Sequence, residues 1–183
     1  MARIPYPDLT KVAPERLKII GYPERKPLNI THMALHIADG VWYSHIALKN
    51  AMVNGTTIDP WLREVLILRT AWLANCEYEL HHHISISANL GFTKEKQEAL
   101  RTQNYETLTE EERTVAMLTD EAITRLTASD ETLAKARALF GDAQVLEMIA
   151  IIGSYWATAM MAGVSGVEPD AEPIQSWSNK AAE

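Results

Sequence analysis

Cysteine is nearly absent from this chain: Cys76 is the only one in 183 residues. No disulfide can close within the chain, and any thiol chemistry needs a second molecule. Basic charge is also scarce, with 17 Lys and Arg against 24 Asp and Glu, a net charge of -7. A chain without a basic face is not expected to bind nucleic acid, which requires phosphates to be neutralised. Docking on an anionic membrane surface is disfavoured for the same reason. The longest apolar run, Met148 to Met161, is broken by Gly153 and Ser154 and is too short to span a bilayer. The first residues, MARIPYPDLTKVAPERLK, hold charges and prolines where a signal peptide needs an apolar stretch, so a cytoplasmic protein is expected. No glycine-rich phosphate loop or dinucleotide fingerprint is present, and no cofactor is expected. Alternation with period two is missing as well, which leaves an all-α fold.

The helices that remain are punctuated by their caps. Residues 1–28 are rich in Pro and in Lys and Arg and read as an extended arm with one helical turn near Lys11 to Leu17. Asn29 or Thr31 can cap a helix to about Asn54, bent at Gly40, with Met33, Ile37, Val41, Ser44 and Leu48 along one side. Asp59 and Pro60 open the next helix as N-cap and first helical residue. Its run WLREVLILRTAWLA is apolar nearly all round, the pattern of a central buried helix. Glu64 lies inside it, and a carboxyl group there must be paired or protonated. Asn75 can cap a helix from Cys76 to Asn89 that Gly91 ends. Shorter helices follow from Phe92-Thr93 to Arg101, from Thr109 to about Leu126 and from Ser129 to Phe140, before a last long one from Ala143 to about Ala162. The body therefore spans residues 29–168, with 169–183 as a C-terminal tail, in about six to eight helices.

The stretch REVLILRTAWLANCEYELHHHISISANLGF carries the candidate chemistry. Cys76, Glu79 and His83 are spaced by three and four residues and share one helix face. Cys76 lies at the helix start, where unpaired N–H groups and the dipole favour a thiolate. Glu79 and His83 can pair, which would raise the histidine pKa and orient its ring. Structural pairing of Glu64 with Arg63, Arg69 or a partner subunit is the plainer alternative for that residue. His81, His82 and His83 are consecutive and point about 100° apart, so they cannot converge on one ion. A set made of His83, Glu79 and Glu64 can be drawn, but nothing demands a metal and none is expected. His81 and His82 are expected at the surface or a subunit contact. Trp42, Tyr43, His36, Tyr155 and Trp156 are candidate walls of a substrate pocket, although aromatic residues on long helices commonly serve the core.

The same stretch resembles the core of the carboxymuconolactone decarboxylase superfamily, which includes the alkylhydroperoxidase D-like (AhpD-like) proteins. The hydroperoxidase branch has a Glu, a CxxC that starts twelve residues later, and a His four beyond the second Cys. Glu64, Cys76 and His83 match, while Glu79 replaces the second cysteine and Tyr78 stands between. The decarboxylase branch resembles the chain in an E-L-x-x-H pattern, met as Glu79-Leu80 with His83. The site is thus a hybrid of the two branches, and the resemblance covers about residues 30 to 168.

That resemblance implies an AhpD-like helical domain that forms a homo-oligomer (a dimer, trimer or hexamer) and acts on a small molecule. The two-cysteine peroxidase cycle is impossible without its second cysteine. Acid–base chemistry on a small carboxylate or ketone is the expected activity: decarboxylation, isomerisation or lactone opening. His83 would act as acid, oriented by Glu79 or Glu64, with Tyr78 as a second donor. A one-cysteine hydroperoxidase that uses Cys76 and an external thiol, and a non-catalytic scaffold, are the alternatives.

Overall fold

The computed structural model describes residues 1–175. The end of the expected tail, residues 176–183 with SNKAAE, lies outside the described residues. Eight helices and two 3-10 turns make up the described part, without a strand. They are α1 (Pro14–Ile19), α2 (Asn29–Ala34), α3 (Asp39–Asn54), α4 (Pro60–Leu73), α5 (Glu77–Leu90), α6 (Lys94–Thr102), α7 (Glu110–Arg125) and α8 (Asp130–Ser165).

Local chemistry sets most of these boundaries. The Asp59 carboxylate accepts the Trp61 N–H at 2.8 Å, and Pro60 begins α4 without leaving an orphan donor. Thr109 and Glu112 form a reciprocal capping box at the start of α7. Gly91 ends α5 at φ 106, a conformation that glycine enters without a Cβ penalty. Gly141, at φ 75, kinks α8 between the two helices read from the sequence there.

The apolar run of α4 puts it at the centre. Every residue from Arg63 to Ala71 is buried, and α4 packs against α5, α6, α7 and α8. Leu66, Ile67, Leu68, Val115, Leu118, Met148 and Ile151 form the heart of the core, each at most 1% exposed. Burial of such side chains is the main favourable term in folding. By length and composition alone α8 is apolar enough to cross a membrane, but 44% of its most apolar window is buried inside the fold. Its outer face leaves Leu146, Ile149, Met160 and Val164 exposed.

The single helix expected over 29–54 is two, and the bend is not at Gly40. The chain leaves helix after Ala34 and re-enters it at Asp39. Arg16, from α1, explains the interruption. One guanidinium nitrogen donates to the carbonyls of Leu35 and Ile37 at 3.1 and 3.0 Å, and the other to Asp39 at 3.0 Å. A cation from outside the helix thus satisfies carbonyls that the α2 terminus leaves open. The same guanidinium lies 4.5 Å from the ring centre of Trp42, which is fully buried. The break also rotates the inner face of α3. Trp42 and Met52 point inward, whereas Val41 and Leu48, expected on the inner side, are exposed.

The N-terminal segment lies against the end of α8. Arg3 and Ile4 N–H groups both donate to the Ser165 carbonyl, and His32 and His36 bond the carbonyls of Pro7 and Pro5, each at 2.8 Å. Gly166, at φ 68, sits where an added Cβ would lie 2.9 Å from Arg3. Gly166→Ala is therefore expected to destabilise the fold by about 1–3 kcal/mol, through backbone strain and displacement of Arg3. A thermal unfolding scan checks this; an unchanged midpoint would mean that the segment is not seated on α8.

Candidate functional site

The buried carboxyl group of Glu64 finds its partner on the neighbouring helix. Glu64 Oε2 accepts from His83 Nδ1 at 2.7 Å, and Glu64 is fully buried while His83 is 1% exposed. One turn before His83 on α5, Glu79 Oε2 lies 3.4 Å from the other ring nitrogen. The helical spacing read from the sequence produces that second contact; packing of α4 against α5 produces the first. The arginine partners considered for Glu64 are engaged elsewhere. Arg69 pairs with Asp120 at 2.5 Å, and Arg63 donates to the Val53 carbonyl at 2.6 Å.

Burial opposes a charge on His83, but the two carboxyl groups outweigh it and push its pKa up to about 9. At neutral pH the ring is an imidazolium held from both sides, a stored proton beside a cavity. That cavity has a volume of about 360 Å³ and is walled in part by Glu79, His83, Tyr155, Lys49 and His45. The Tyr155 ring stands edge-on to the His83 ring with centres 5.3 Å apart. Burial, aided by Glu79 and Glu64, raises the Tyr155 pKa well above its ordinary value and keeps the hydroxyl a donor.

Not all candidates meet there. Tyr155 lines the cavity, but Trp42, Tyr43, His36 and Trp156 are not among its walls. Trp42 is consumed by the Arg16 contact, Tyr43 is 41% exposed, and His36 holds the N-terminal segment. Tyr78 does line the cavity, yet its hydroxyl is already committed. It donates to Asp170 Oδ2 at 2.6 Å and accepts from the Ile30 N–H at 3.3 Å. Burial and the Asp170 carboxylate both push the Tyr78 pKa far up. A phenol so occupied is a strut rather than a free proton donor.

His82, expected at the surface or a subunit contact, is 3% exposed within the chain itself and belongs to the same strut. Its Nδ1 accepts from the Ile174 N–H at 3.1 Å, which assigns the proton to Nε2, 3.1 Å from Asp170 Oδ2. Asp170 also accepts the Asn29 N–H at 3.0 Å. Burial works against its charge, but these donors prevail and hold it below the usual carboxylate range. The segment after α8 is thereby tied to α2 and α5.

Cys76 stands one residue before α5 as its N-cap and is 7% exposed. It packs with Met33, Ala159, Ala162 and Val167 and is not a wall of the cavity. The expected thiolate is overturned in direction. Burial pushes the thiol pKa up, and Glu79 adds to this, although the amide N–H groups of Glu79 and Tyr78 pull the other way. Among the described residues, no group of three or more His, Cys, Asp and Glu is arranged to hold a metal ion.

Lys49 was not singled out from the sequence. It is the only Lys or Arg in α3 and sits one turn after His45, the signal that marks it in retrospect. Its ammonium donates to Thr158 Oγ1 and, at 3.3 Å, to the Ser154 carbonyl, and lies 4.7 Å from the Tyr155 ring centre. Burial pushes its pKa down, with Glu79 acting in the opposite sense. Asp170 was missed as well, and nothing in the composition of the tail marks it.

Residues 45–121 match the carboxymuconolactone decarboxylase family. No curated protein matches the chain. Among solved structures, an uncharacterised peroxidase-related protein from Silicibacter sp. TM1040 is similar, with a TM-score of 0.79 at 15% identity over 93% of this chain and 92% of that one. A peroxidase-related protein with an AhpD core, from Ralstonia eutropha JMP134, gives 0.77 at 15% identity over 93% of each chain. A protein of unknown function from Agrobacterium tumefaciens, provisionally described as the antioxidant defence protein AhpD, gives 0.66 at 18% identity over 72% of this chain and 92% of that one. The fold is that of the AhpD core, and residues 45–121 within it are similar to the carboxymuconolactone decarboxylase family.

Proposed function

We propose that the protein is an enzyme that performs acid–base chemistry on a small carboxylate or ketone, with His83 as the proton carrier. One observation carries this reading: a buried imidazole with a carboxyl group at each ring nitrogen, set in the wall of a cavity. Loss of carbon dioxide from a β-keto acid or an unsaturated lactone acid leaves an enolate or carbanion that must be protonated. His83 supplies that proton, directly or through Glu79, while Glu64 fixes the ring orientation and stabilises its charged form. The Tyr155 hydroxyl, whose ring stands against that of His83, supports the developing oxyanion. Isomerisation and lactone opening use the same proton movements. Exposed apolar side chains along α8 support self-association of the chain into a homo-oligomer.

The test is a screen of small lactones and keto acids with wild type and His83→Gln. Glutamine keeps a donor for Glu64, so the comparison is not confused by unfolding. Turnover is expected to fall at least about 100-fold in the variant. Full activity in a folded His83→Gln protein would sink the assignment.

A thiol-dependent hydroperoxidase is the second reading, supported by the peroxidase-related names of two of the similar structures. It asks Cys76, buried and held protonated, to attack peroxide and to be resolved by an outside thiol. In the same preparation, Cys76→Ser should retain keto-acid or lactone turnover. Peroxide consumption lost in that variant would favour the thiol reading instead.

A further inference from the structure

We propose that the cavity selects anions and that the ammonium of Lys49 is the group that anchors a ligand carboxylate beside His83. This deepens the acid–base reading of the same cavity and rests on it for the chemistry that follows binding.

Lysine has three N–H donors. Lys49 directs two of them to the Ser154 carbonyl and Thr158 Oγ1. Thr158 Oγ1 in turn donates to the same carbonyl at 2.9 Å, so the cradle is neutral and fully used. One donor of Lys49 is left over. No carboxylate lies within ion-pair distance of its ammonium among the described residues. A largely buried cation with an unused donor at a cavity wall is the arrangement that a carboxylate completes, by a charge-assisted hydrogen bond in a low-dielectric setting.

The remaining charges favour the same ligand. The whole chain carries -7, yet Glu79 is the only acidic residue among the described cavity walls, where Arg25, Lys26 and Lys49 also stand. The His83 ring already occupies the nearby carboxyl groups of Glu64 and Glu79, whereas Lys49 pairs with neutral partners only. Arg25 and Lys26 then leave the entrance positive, which draws anions in and disfavours cations. Lys49 and His83 both lie against the Tyr155 ring, at 4.7 and 5.3 Å, which puts anchor and proton carrier on one part of the cavity wall. A neutral ketone would leave the third lysine donor unmet and lose that discrimination.

Binding equilibrium tests the anchor separately from the chemistry. The probes are 4-oxopentanoate and its neutral isostere 4-oxopentanamide, titrated calorimetrically into wild type, Lys49→Met and Lys49→Arg. Wild type is expected to bind the carboxylate at least about tenfold more tightly than the amide, the size of one charge-assisted bond. Lys49→Met should lose that preference while its affinity for the amide stays within about twofold, and Lys49→Arg should keep part of the preference. Equal affinities in wild type, no saturable binding of the carboxylate, or a preference that survives in Lys49→Met would each overturn the assignment. If the preference vanishes with Lys49 as expected but His83→Gln retains full turnover, the acid–base reading fails and the anchor stands. If His83-dependent turnover is found without any charge preference, the anchor alone fails.

Discussion

His83→Ala is expected to destabilise the protein by about 3–5 kcal/mol, more than any other single truncation at the cavity. The reason is the carboxyl group left behind rather than the ring removed. Glu64 is fully buried, its Oε2 bonds His83, and its Oε1 has no partner among the described residues. Without the imidazole both oxygens are left buried and unpaired, a state in which a carboxylate is strongly disfavoured. Glu79 suffers less, because it also borders the cavity. The double variant His83→Leu with Glu64→Leu should recover most of the loss, since a buried pair replaced whole by apolar groups of similar size is often neutral. Urea unfolding of wild type, the single and the double variant measures this. A double variant no more stable than His83→Ala would show that lost packing, and not an orphaned carboxyl group, causes the effect.

The second large effect is a fall in stability as the solution becomes alkaline. His83 has a folded-state pKa pushed up to about 9 against 6.5 for the free side chain, so the native protein holds a proton that the unfolded chain releases. A raised pKa of this kind contributes stability that is complete below about pH 6.5, shrinks as pH rises, and is gone once pH passes about 9. For a group this buried the change is about 3 kcal/mol across that window. Urea midpoints should therefore decline between those pH values in wild type. In His83→Gln, which has no titrating group at that position, the decline should be much smaller. An equal slope in both proteins would assign the linkage to other residues. The same proton underlies the proposed catalysis, so activity and stability should fade over one pH range.

Much of the proposed site was legible in the sequence for a local reason. Glu79 and His83 are four residues apart, and helical geometry alone brings them together. Glu64 announced itself as an acid inside an apolar run, a conflict that only a partner could resolve. The identity of that partner was not local, since it depends on the angle and depth at which α5 crosses α4. The thiol of Cys76 shows the opposite failure. Its place at a helix start favours a thiolate, but Met33, Ala159, Ala162 and Val167 arrive from distant parts of the chain and desolvate it.

The sequence by itself determined the all-α class, the helix boundaries from Asp59 to Ser129 to within about two residues and the i, i+4 pair, because caps, prolines, glycines and apolar periodicity act within a few residues. Tertiary structure decided the rest. Arg16 split one expected helix into two by taking its terminal carbonyls, and Asp170 bound the Tyr78 hydroxyl and the His82 ring. Packing of α3 on α8 set Lys49 beside Tyr155. Each of these outcomes rests on burial and charge across elements far apart in the chain, which no short window of sequence contains.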